Sequence, residues 1–309
     1  MNSIDAMESE IRYQLEELPQ LSPYRTNRKC LFVGSGDSYA ASLAVQYASQ
    51  FGSLCCHPLD FLTNPAFAYG RTVYIVSVSG RTKNNILAAR AAKASSLRTV
   101  ALTAASDSPL AKSCDEVLQL NFKSSGTKTA GTISFTSSLI ACLSLAVKKA
   151  KVPKNLETMF GRAEKQAADL ARKTNAGKSS FLLGNGILFP IAMYGALKLN
   201  EVVGAKAFAY PTDEFCHAPM FSIGKKDSTV VILAQSMEDK RLAKRLVNEG
   251  YDCTSVPISD LGSVDALLHS TFFVQLFALY RARGIALEKC HFLKDRRMLR
   301  VSSDFIYGC

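Results

Sequence analysis

The first half of the chain alternates short apolar runs with longer segments of helical periodicity. The apolar runs predict a short buried strand at residues 30–33 and further strands at 73–76, 99–103 and 117–120. Helical segments follow the first strand to about residue 51, begin again near residue 83, and extend from about residue 134 to 149. Strands that alternate with helices are typical of α/β layers built on a parallel sheet.

The second half of the chain repeats this pattern. It consists of a linker at residues 151–155, a connecting helix at 156–173, and strands at 181–183 and 229–233 that lead into turns. The repetition indicates an internal duplication, so we predict an α/β fold of two tandem doubly wound domains at residues 1–152 and 153–309. Ligands of such sheets bind outside the carboxyl ends of the strands, where these turns lie.

Composition is that of a soluble globular protein. The 309 residues, 48% of them hydrophobic, suit two domains of about 150 residues each. Two uncharged runs at residues 129–147 and 179–197 approach the roughly 20 residues of a membrane span. The first is rich in Ser and Thr, and the second is interrupted by Gly184, Gly186 and Pro190. We therefore expect buried elements and no membrane association.

The net charge of +11 and the pI of about 9.2 invite a comparison with nucleic-acid-binding proteins. The basic residues are spread along the chain and are not gathered with interleaved aromatic residues, which argues against nucleic acid as a partner. A basic surface also attracts small phosphorylated substrates, and this is the use that we expect.

The N-terminal segment is acidic where a signal peptide would be basic, so a cytoplasmic protein is predicted. Nine cysteines, odd in number and without Cys-x-x-Cys spacing, predict free thiols and no metal site. Cys216 lies beside His217, but adjacency in sequence is not the spatial pairing that a thiol nucleophile needs, so a packing role is favoured.

Two turns carry candidate ligand chemistry. Ser77, Ser79 and Thr82 offer hydroxyl groups beside Gly80 at a predicted helix start, which fits a phosphate cradle and equally fits simple helix capping. The segment Gly34-Ser-Gly-Asp-Ser resembles a dinucleotide fingerprint, but Tyr39 replaces its third glycine. No nicotinamide or other cofactor is expected.

A third segment offers acid–base chemistry. Lys198 and Glu201 are three residues apart on a predicted helix and therefore share a face, and His217 follows in a loop. A shielded glutamate can carry a proton between two carbons, and a histidine can act as acid and base. A surface ion pair with an ordinary loop histidine is the alternative.

Three motifs together carry a resemblance to a known family. They are GSGDSY at residues 34–39, SVSGRT at 77–82, and GALKLNE at 195–201 with the downstream His217. Over nearly its whole length the chain resembles the tandem sugar isomerase (SIS) domain family, whose subdomains are flavodoxin-like. It is most similar to the isomerase half of glucosamine-6-phosphate synthase and to stand-alone glucosamine-6-phosphate deaminases.

The resemblance implies a role for each matching residue. The phosphosugar would be bound by two turns and by a segment before the helix near residue 134: Ser77, Val78 through its backbone, Ser79, Thr82, Gly36, Ser38, Gly131 and Thr132. Glu201 would move the proton between C1 and C2, Lys198 would assist, and His217 would open the sugar ring. In the family this histidine reaches a neighbouring subunit's site, which implies a homodimer with shared active sites. The implied mechanism needs no metal.

Two departures from the synthase shape the expected reaction. Asn2 follows Met1 where the synthase has a catalytic cysteine, so no glutamine-hydrolysing domain is expected. Arg300 or Val301 stands near the place of the synthase's Schiff-base lysine, with Lys294 the nearest lysine upstream. Both departures favour a deaminase or a plain isomerase.

The expected activity is an aldose–ketose isomerisation, foremost the conversion of glucosamine 6-phosphate and water to fructose 6-phosphate and ammonia. A phosphoglucose or phosphomannose isomerase is the alternative that uses the same Glu and His chemistry. A non-catalytic phosphosugar sensor is the alternative from another class, although a sensor has no need of a proton shuttle.

Overall fold

The computed structural model describes residues 1–21, 24, 26, 29–148, 150–174, 177–258 and 263–308. Its strands are β1 (Lys29–Gly34), β2 (Leu54–Cys56), β3 (Arg71–Val76), β4 (Thr99–Thr103), β5 (Glu116–Gln119), β6 (Ser179–Gly184), β7 (Ala207–Tyr210), β8 (Ser228–Ala234) and β9 (Cys253–Pro257). Its α-helices are α1 (Ser3–Glu17), α2 (Asp37–Ala48), α3 (Pro58–Thr63), α4 (Lys83–Ala94), α5 (Pro109–Ser113), α6 (Ile133–Ala146), α7 (Leu156–Lys173), α8 (Phe189–Lys198), α9 (Thr212–His217), α10 (Met237–Asn248), α11 (Ser263–Gly284) and α12 (Arg296–Tyr307).

Strands β1 to β5 form a parallel sheet in the order β2-β1-β3-β4-β5. In both β1 and β3, every residue after the first is buried, as expected of parallel strands covered on both faces. Gly34 pairs with Val76, so β1 and β3 end side by side. The strand order reverses between these two strands, which is where open α/β sheets of this order place their ligands.

Strands β6 to β9 form a second parallel sheet in the order β7-β6-β8-β9. Gly184 pairs with Leu233, so β6 and β8 end side by side just as β1 and β3 do. The prediction of an α/β fold with two parallel sheets is confirmed. The edge strands β7 and β9 were not predicted, because they are short and only partly buried.

The chain divides into two compact units. The β1–β5 unit contains Glu17–Lys123, Ile133–Lys151 and Arg296–Cys309, and the β6–β9 unit contains Met1–Glu16, Ser124–Thr132 and Val152–Asp295. Each unit therefore includes one terminal helix from the opposite end of the chain. The domain bounds 1–152 and 153–309 remain a prediction.

Several helices differ slightly from their predicted bounds. Helix α7 has the predicted bounds, whereas α2 ends at Ala48 and not near Phe51, because Gln50 and Phe51 adopt left-handed φ values of 51° and 61°. Helix α6 ends at Ala146, and the predicted end at residue 149 lies outside the described residues.

Two described segments are long and apolar enough to cross a membrane by composition alone. They are Gly186–Val203 and Ser263–Gly284, of which 61% and 78% are buried inside the structure. Helix α11 packs along α7 in the β6–β9 unit, and most of its residues are buried. Helix α6, which contains most of the predicted run at 129–147, is likewise largely buried in its unit. These are the core helices of an α/β protein.

Candidate functional site

Lys198 and Glu201 lie where α8 passes into a π-helical turn at Leu199–Val203. Lys198 Nζ donates to Glu201 Oε2 at 2.5 Å. The side chain of Lys198 is 1% exposed and that of Glu201 is 39% exposed. The ammonium group is thus shielded from water, while the carboxylate is open to the surface. Because a lone buried charge is costly, the carboxylate compensates the ammonium group.

The π-helical turn has local causes. The side-chain amide of Asn200 donates to the carbonyl of Ala207 at 3.0 Å and accepts from its N–H at 3.2 Å, which ties the turn to β7. Gly204 ends the turn with a φ of 74°, and a Cβ at this position would overlap the ring of His291. Single π-helical turns are frequent at functional sites.

Tyr194 connects the Lys198–Glu201 pair to the predicted sugar-contact segment. Lys198 Nζ lies 5.2 Å from the centre of the Tyr194 ring, within cation–π range. The Tyr194 hydroxyl donates to the carbonyl of Gly131 at 2.7 Å. The side-chain amide of Gln275 donates to the Tyr194 hydroxyl at 3.1 Å and to the carbonyl of Thr132 at 3.2 Å. Gly131 and Thr132 are thereby fixed in the same unit as Lys198.

His217 is the last residue of the six-residue helix α9. Its Nε2 lies 3.6 Å from Asp213 Oδ2, one turn earlier on the same helix. The side chain of His217 is 72% exposed, so it projects from the surface of the single chain. Phe215 anchors the helix, because its side chain is fully buried in the β6–β9 unit.

The predicted phosphate cradle lies in the β1–β5 unit, between β3 and α4. Ser77 Oγ lies 3.4 Å from Thr82 Oγ1, and the N–H of Arg81 donates to Ser79 Oγ at 3.4 Å. Thr82 occupies the N-cap position of α4, yet its side chain makes no capping hydrogen bond. The first N–H groups of a helix need external partners and favour anions. The side chain of Thr82 therefore does not cap α4, and the phosphate cradle stays a prediction.

Gly80 is required where it stands in this turn. Its φ is 61°, and a Cβ would come within 2.5 Å of Ser108 Cβ. The Ser108 side chain in turn caps α5 by accepting from Ala111 N. The neighbouring strand β4 also holds the turn, since Thr103 Oγ1 at the end of β4 donates to the carbonyl of Val78 at 3.1 Å. Neighbouring segments therefore fix its shape.

The other predicted turn lies beside the cradle at the end of β1. Gly36 has a φ of 56° and begins α2, and Ser38 is nearly buried in its first turn. Asn85, which is buried, donates to the carbonyl of Val76 at 3.1 Å and lies 3.3 Å from Ser35 Oγ. Both turns are thus joined at the carboxyl edge of the first sheet.

The corresponding turn of the second sheet, between β8 and α10, is built around Asp239. This carboxylate is buried, with 2% of the residue exposed. Its Oδ2 accepts from the N–H groups of Gln235 and Ser236 at 3.1 and 2.9 Å. Its Oδ1 accepts from Asn185 Nδ2 at 3.0 Å and from Thr212 Oγ1 at 3.2 Å.

The predicted residues therefore fall into two groups. Gly36, Ser38 and the residues from Ser77 to Thr82 are gathered in the β1–β5 unit, and the remaining predicted site residues, from Gly131 to His217, belong to the β6–β9 unit. Sequence reasoning missed the buried polar residues Asn85, Tyr194, Asp239 and Gln275 and the partly buried Asn185. The spacing of Ser236 and Asp239 is a capping-box signal that could have identified one of them.

Within the described ranges, no group of three His, Cys, Asp or Glu side chains is arranged to hold a metal ion. Burial, and secondarily the charge of Asp213, raises the pKa of the Cys216 thiol, which disfavours the thiolate that a nucleophile requires.

Comparison with known proteins agrees with this architecture. Residues 24–148 match the SIS domain. A glutamine–fructose-6-phosphate aminotransferase (isomerizing) of Sulfurisphaera tokodaii is 26% identical over 91% of this chain and 51% of its own length. A second such aminotransferase, from Gloeobacter violaceus, is 30% identical over 66% of this chain and 34% of its own length. The chain thus spans about half, or less, of the length of these relatives.

A solved structure resembles this fold over most of the chain. The glucosamine-6-phosphate deaminase of Thermotoga maritima superposes with a TM-score of 0.72 at 21% identity, over 92% of this chain and 94% of its own. At this identity the likeness establishes the fold. The chain thus contains a SIS domain at residues 24–148, and its two parallel sheets are consistent with tandem SIS subdomains.

Proposed function

We propose that this chain is a phosphosugar aldose–ketose isomerase that converts glucosamine 6-phosphate and water to fructose 6-phosphate and ammonia. The observation that carries the proposal is the contact between buried Lys198 and half-exposed Glu201 at a π-helical turn. A base that shuttles protons on a substrate must be accessible to it, and a neighbouring cation can stabilise the oxyanion that develops.

The phosphate of the substrate is assigned to the turn from Ser77 to Thr82. Its hydroxyl groups, the backbone N–H of Val78 and the start of α4 supply donors for an anion. The turn after β1, with Gly36 and Ser38, is assigned to the sugar or its phosphate. Gly131 and Thr132 are assigned to the sugar, because Tyr194 and Gln275 hold their carbonyls in the unit that contains Lys198.

The proposed reaction begins with ring opening. His217 donates a proton to the ring oxygen, the bond between this oxygen and C1 breaks, and the anomeric hydroxyl releases its proton to water to leave the open-chain aldehyde. Glu201 then removes the proton from C2 to give an enolamine and returns it to C1, while Lys198 stabilises the negative charge that develops on O1. As C1 is protonated, the amine nitrogen loses one proton and O1 gains one, which gives a ketimine at C2; water then adds to the ketimine and expels ammonia to leave fructose 6-phosphate. A positioned base contributes about 10²- to 10⁴-fold to such a rate.

We further propose that the enzyme is a cytoplasmic homodimer with shared active sites. The exposure of His217 in the single chain supports a role for this residue outside its own subunit. The described cysteines are all free thiols, which supports a reducing compartment.

The test is to incubate the purified protein separately with glucosamine 6-phosphate, glucose 6-phosphate and mannose 6-phosphate, and to measure ammonia and fructose 6-phosphate. Ammonia together with fructose 6-phosphate from the amino sugar supports the deaminase. Fructose 6-phosphate from a neutral sugar alone supports the plain isomerase instead. The absence of any product, with binding retained, supports the sensor and contradicts the enzyme.

Glu201→Gln tests the proton shuttle. We expect kcat to fall by roughly 10³-fold or more while the Kd for the phosphosugar changes little, because the amide keeps the shape but loses the basic oxygen. Glu157→Gln, which changes an exposed carboxylate at the start of α7, is the matched control and keeps full activity. Full activity of Glu201→Gln would remove this residue from the mechanism.

A further inference from the structure

The carboxylate of Asp239 performs two separable tasks with its two oxygens. Oδ2 accepts from the N–H groups of Gln235 and Ser236, and Ser236 Oγ accepts from the N–H of Asp239 at 3.1 Å. This is a capping box, which by itself serves only α10. Oδ1 lies outside the capping box and accepts from the Thr212 hydroxyl and from Asn185. The second oxygen therefore binds a different part of the chain.

Thr212 is the first residue of α9, the helix that ends at His217. Both of its donors are used: the N–H donates to Asn185 Oδ1 at 2.9 Å, and the hydroxyl donates to Asp239 Oδ1. Asn185 follows β6, so the network joins the ends of β6 and β8 to the start of α9. Buried charged hydrogen bonds of this kind are among the strongest in proteins.

A helix of six residues is too short to be stable alone, so its position depends on its anchors. The described contacts anchor it at three residues: the hydrogen bonds of Thr212 at its first residue, the buried ring of Phe215, and Cys216, which packs partly buried against the same hydrophobic cluster. His217 itself is exposed and contacts Asp213 on the same helix. The direction in which His217 projects therefore depends on these anchors, and the one at the start of the helix, Thr212, is held by Asp239.

We infer that Asp239, acting through Thr212 with Asn185, is a positioning residue for His217. The inference rests on the proposed function, in which His217 opens the sugar ring. Loss of the Thr212–Asp239 hydrogen bond would let the start of α9 shift and carry His217 with it. Misplacement of a reacting group by about 1 Å can reduce a rate by roughly 100-fold.

The two oxygens allow a matched pair of variants. Thr212→Val removes the hydroxyl that donates to Oδ1 and leaves the capping box intact, whereas Ser236→Ala weakens the capping box and leaves the Thr212 bond intact. Thr212→Ser restores the hydroxyl. We expect Thr212→Val to lower kcat about 10- to 100-fold with little change in KM, and we expect Thr212→Ser and Ser236→Ala to keep kcat near that of the unmodified protein.

A double-variant comparison separates positioning from general destabilisation. In the His217→Ala background, Thr212→Val should cause no further loss of kcat, because the group that it positions is gone. Equal losses of kcat in both backgrounds would overturn the inference, as would a loss of the same size in Ser236→Ala.

Amide hydrogen exchange of residues 212–217 gives a readout that does not depend on activity. We expect exchange in α9 to accelerate about tenfold or more in Thr212→Val and to stay unchanged in Ser236→Ala. If the unmodified protein turns over no hexose 6-phosphate, the proposed function fails. The exchange result then decides the positioning claim alone: acceleration supports it, and unchanged exchange overturns it.

Discussion

The turn after β3 and the turn after β8 occupy equivalent places in the two sheets, and their following helices carry related residues at the third position. In α4 this residue is Asn85, whose amide donates to the carbonyl of Val76. In α10 it is Asp239, whose carboxylate accepts from the backbone N–H groups of the turn. The first residue is neutral and bonds a strand carbonyl, whereas the second supplies the turn with its own anion.

This difference indicates how one topology gives a turn that is proposed to bind a ligand and a turn whose donors are used within the chain. Backbone N–H groups at a helix start attract an anion from whatever source is available. In the turn after β8 the chain provides that anion, so the donors are used internally. In the turn after β3 the hydroxyl groups of Ser77 and Thr82 contact each other, and the N-cap side chain makes no capping bond. We therefore expect external phosphate only at the first of these turns.

The largest effect is expected from converting the first turn into the second. Asn85→Asp places a buried carboxylate where phosphate is proposed to bind, and repulsion of a few kcal/mol should weaken the Kd for a hexose 6-phosphate roughly 100-fold or more. Calorimetric titration measures this. Asn84→Asp adds the same charge at the neighbouring, partly exposed position and should change the Kd far less. Equal effects of the two variants would argue that only net charge matters.

Gly80→Ala tests whether the shape of the first turn is fixed. The new Cβ would overlap Ser108 and would sit at a φ of 61°, so we expect the free energy of unfolding to fall by about 2–4 kcal/mol. Denaturant unfolding measures this. Gly70 has a φ of 75°, and no atom lies within 4 Å of the position that a Cβ would take there. Gly70→Ala should therefore lower the free energy of unfolding by less, through the backbone conformation alone. A Gly80→Ala variant as stable as Gly70→Ala would contradict the packing argument.

The two units should also differ in their response to acid. His269 on α11 is buried beside Gln166 in the β6–β9 unit, and burial, with a smaller contribution from Arg162, lowers its pKa to about 4. Between the unfolded pKa near 6.5 and this value, the unfolded chain binds a proton that the folded chain does not. The free energy of unfolding is therefore fully retained above about pH 6.5 and falls by up to about 3 kcal/mol as the pH drops to 4.

Hydrogen exchange followed from pH 7 to pH 4 tests this difference. We expect protection to decrease first in the β6–β9 unit, and we expect His269→Leu to weaken the pH dependence there. An unchanged pH dependence in His269→Leu would show that other groups cause the acid sensitivity.

The smallest effect is expected from Ser236→Ala. Loss of the capping hydroxyl should lower the free energy of unfolding by about 1 kcal/mol, and the Kd for phosphosugar should stay within about twofold, because this turn is not proposed to bind phosphate. Thermal unfolding and titration on the same samples measure both quantities. A large loss of phosphosugar affinity would show that the second turn takes part in binding.

Much of the fold was predictable because buried parallel strands form continuous apolar runs. The strands β1, β3, β4, β6 and β8 were found in this way, and helix α7 was found from its apolar periodicity. Strands β2, β7 and β9 were missed, since they lie at sheet edges, are short and are only partly buried. The exchange of terminal helices between the units depends on long-range packing that periodicity does not record.

The candidate site was predictable where residue type and spacing state the chemistry. Lys198 and Glu201 were expected to be neighbours, and the structure joins them, although through a π-helical turn and not through a continuous α-helix. The supporting residues were not predicted. Tyr194, Asn185 and Gln275 gain their partners from segments distant in sequence, and a lone Tyr, Asn or Gln gives no local signal.

The placement of the terminal helices has a consequence for synthesis on the ribosome. Helix α12 belongs to the unit of the first sheet, and the ring of its Tyr307 lies 5.9 Å from the guanidinium carbon of Arg81 in the turn after β3. Since domains emerge from the ribosome in chain order, the first sheet is made before helix α12, which lies more than 170 residues beyond β5. The turn after β3 must therefore exist without this neighbour until residues 296–307 have been made.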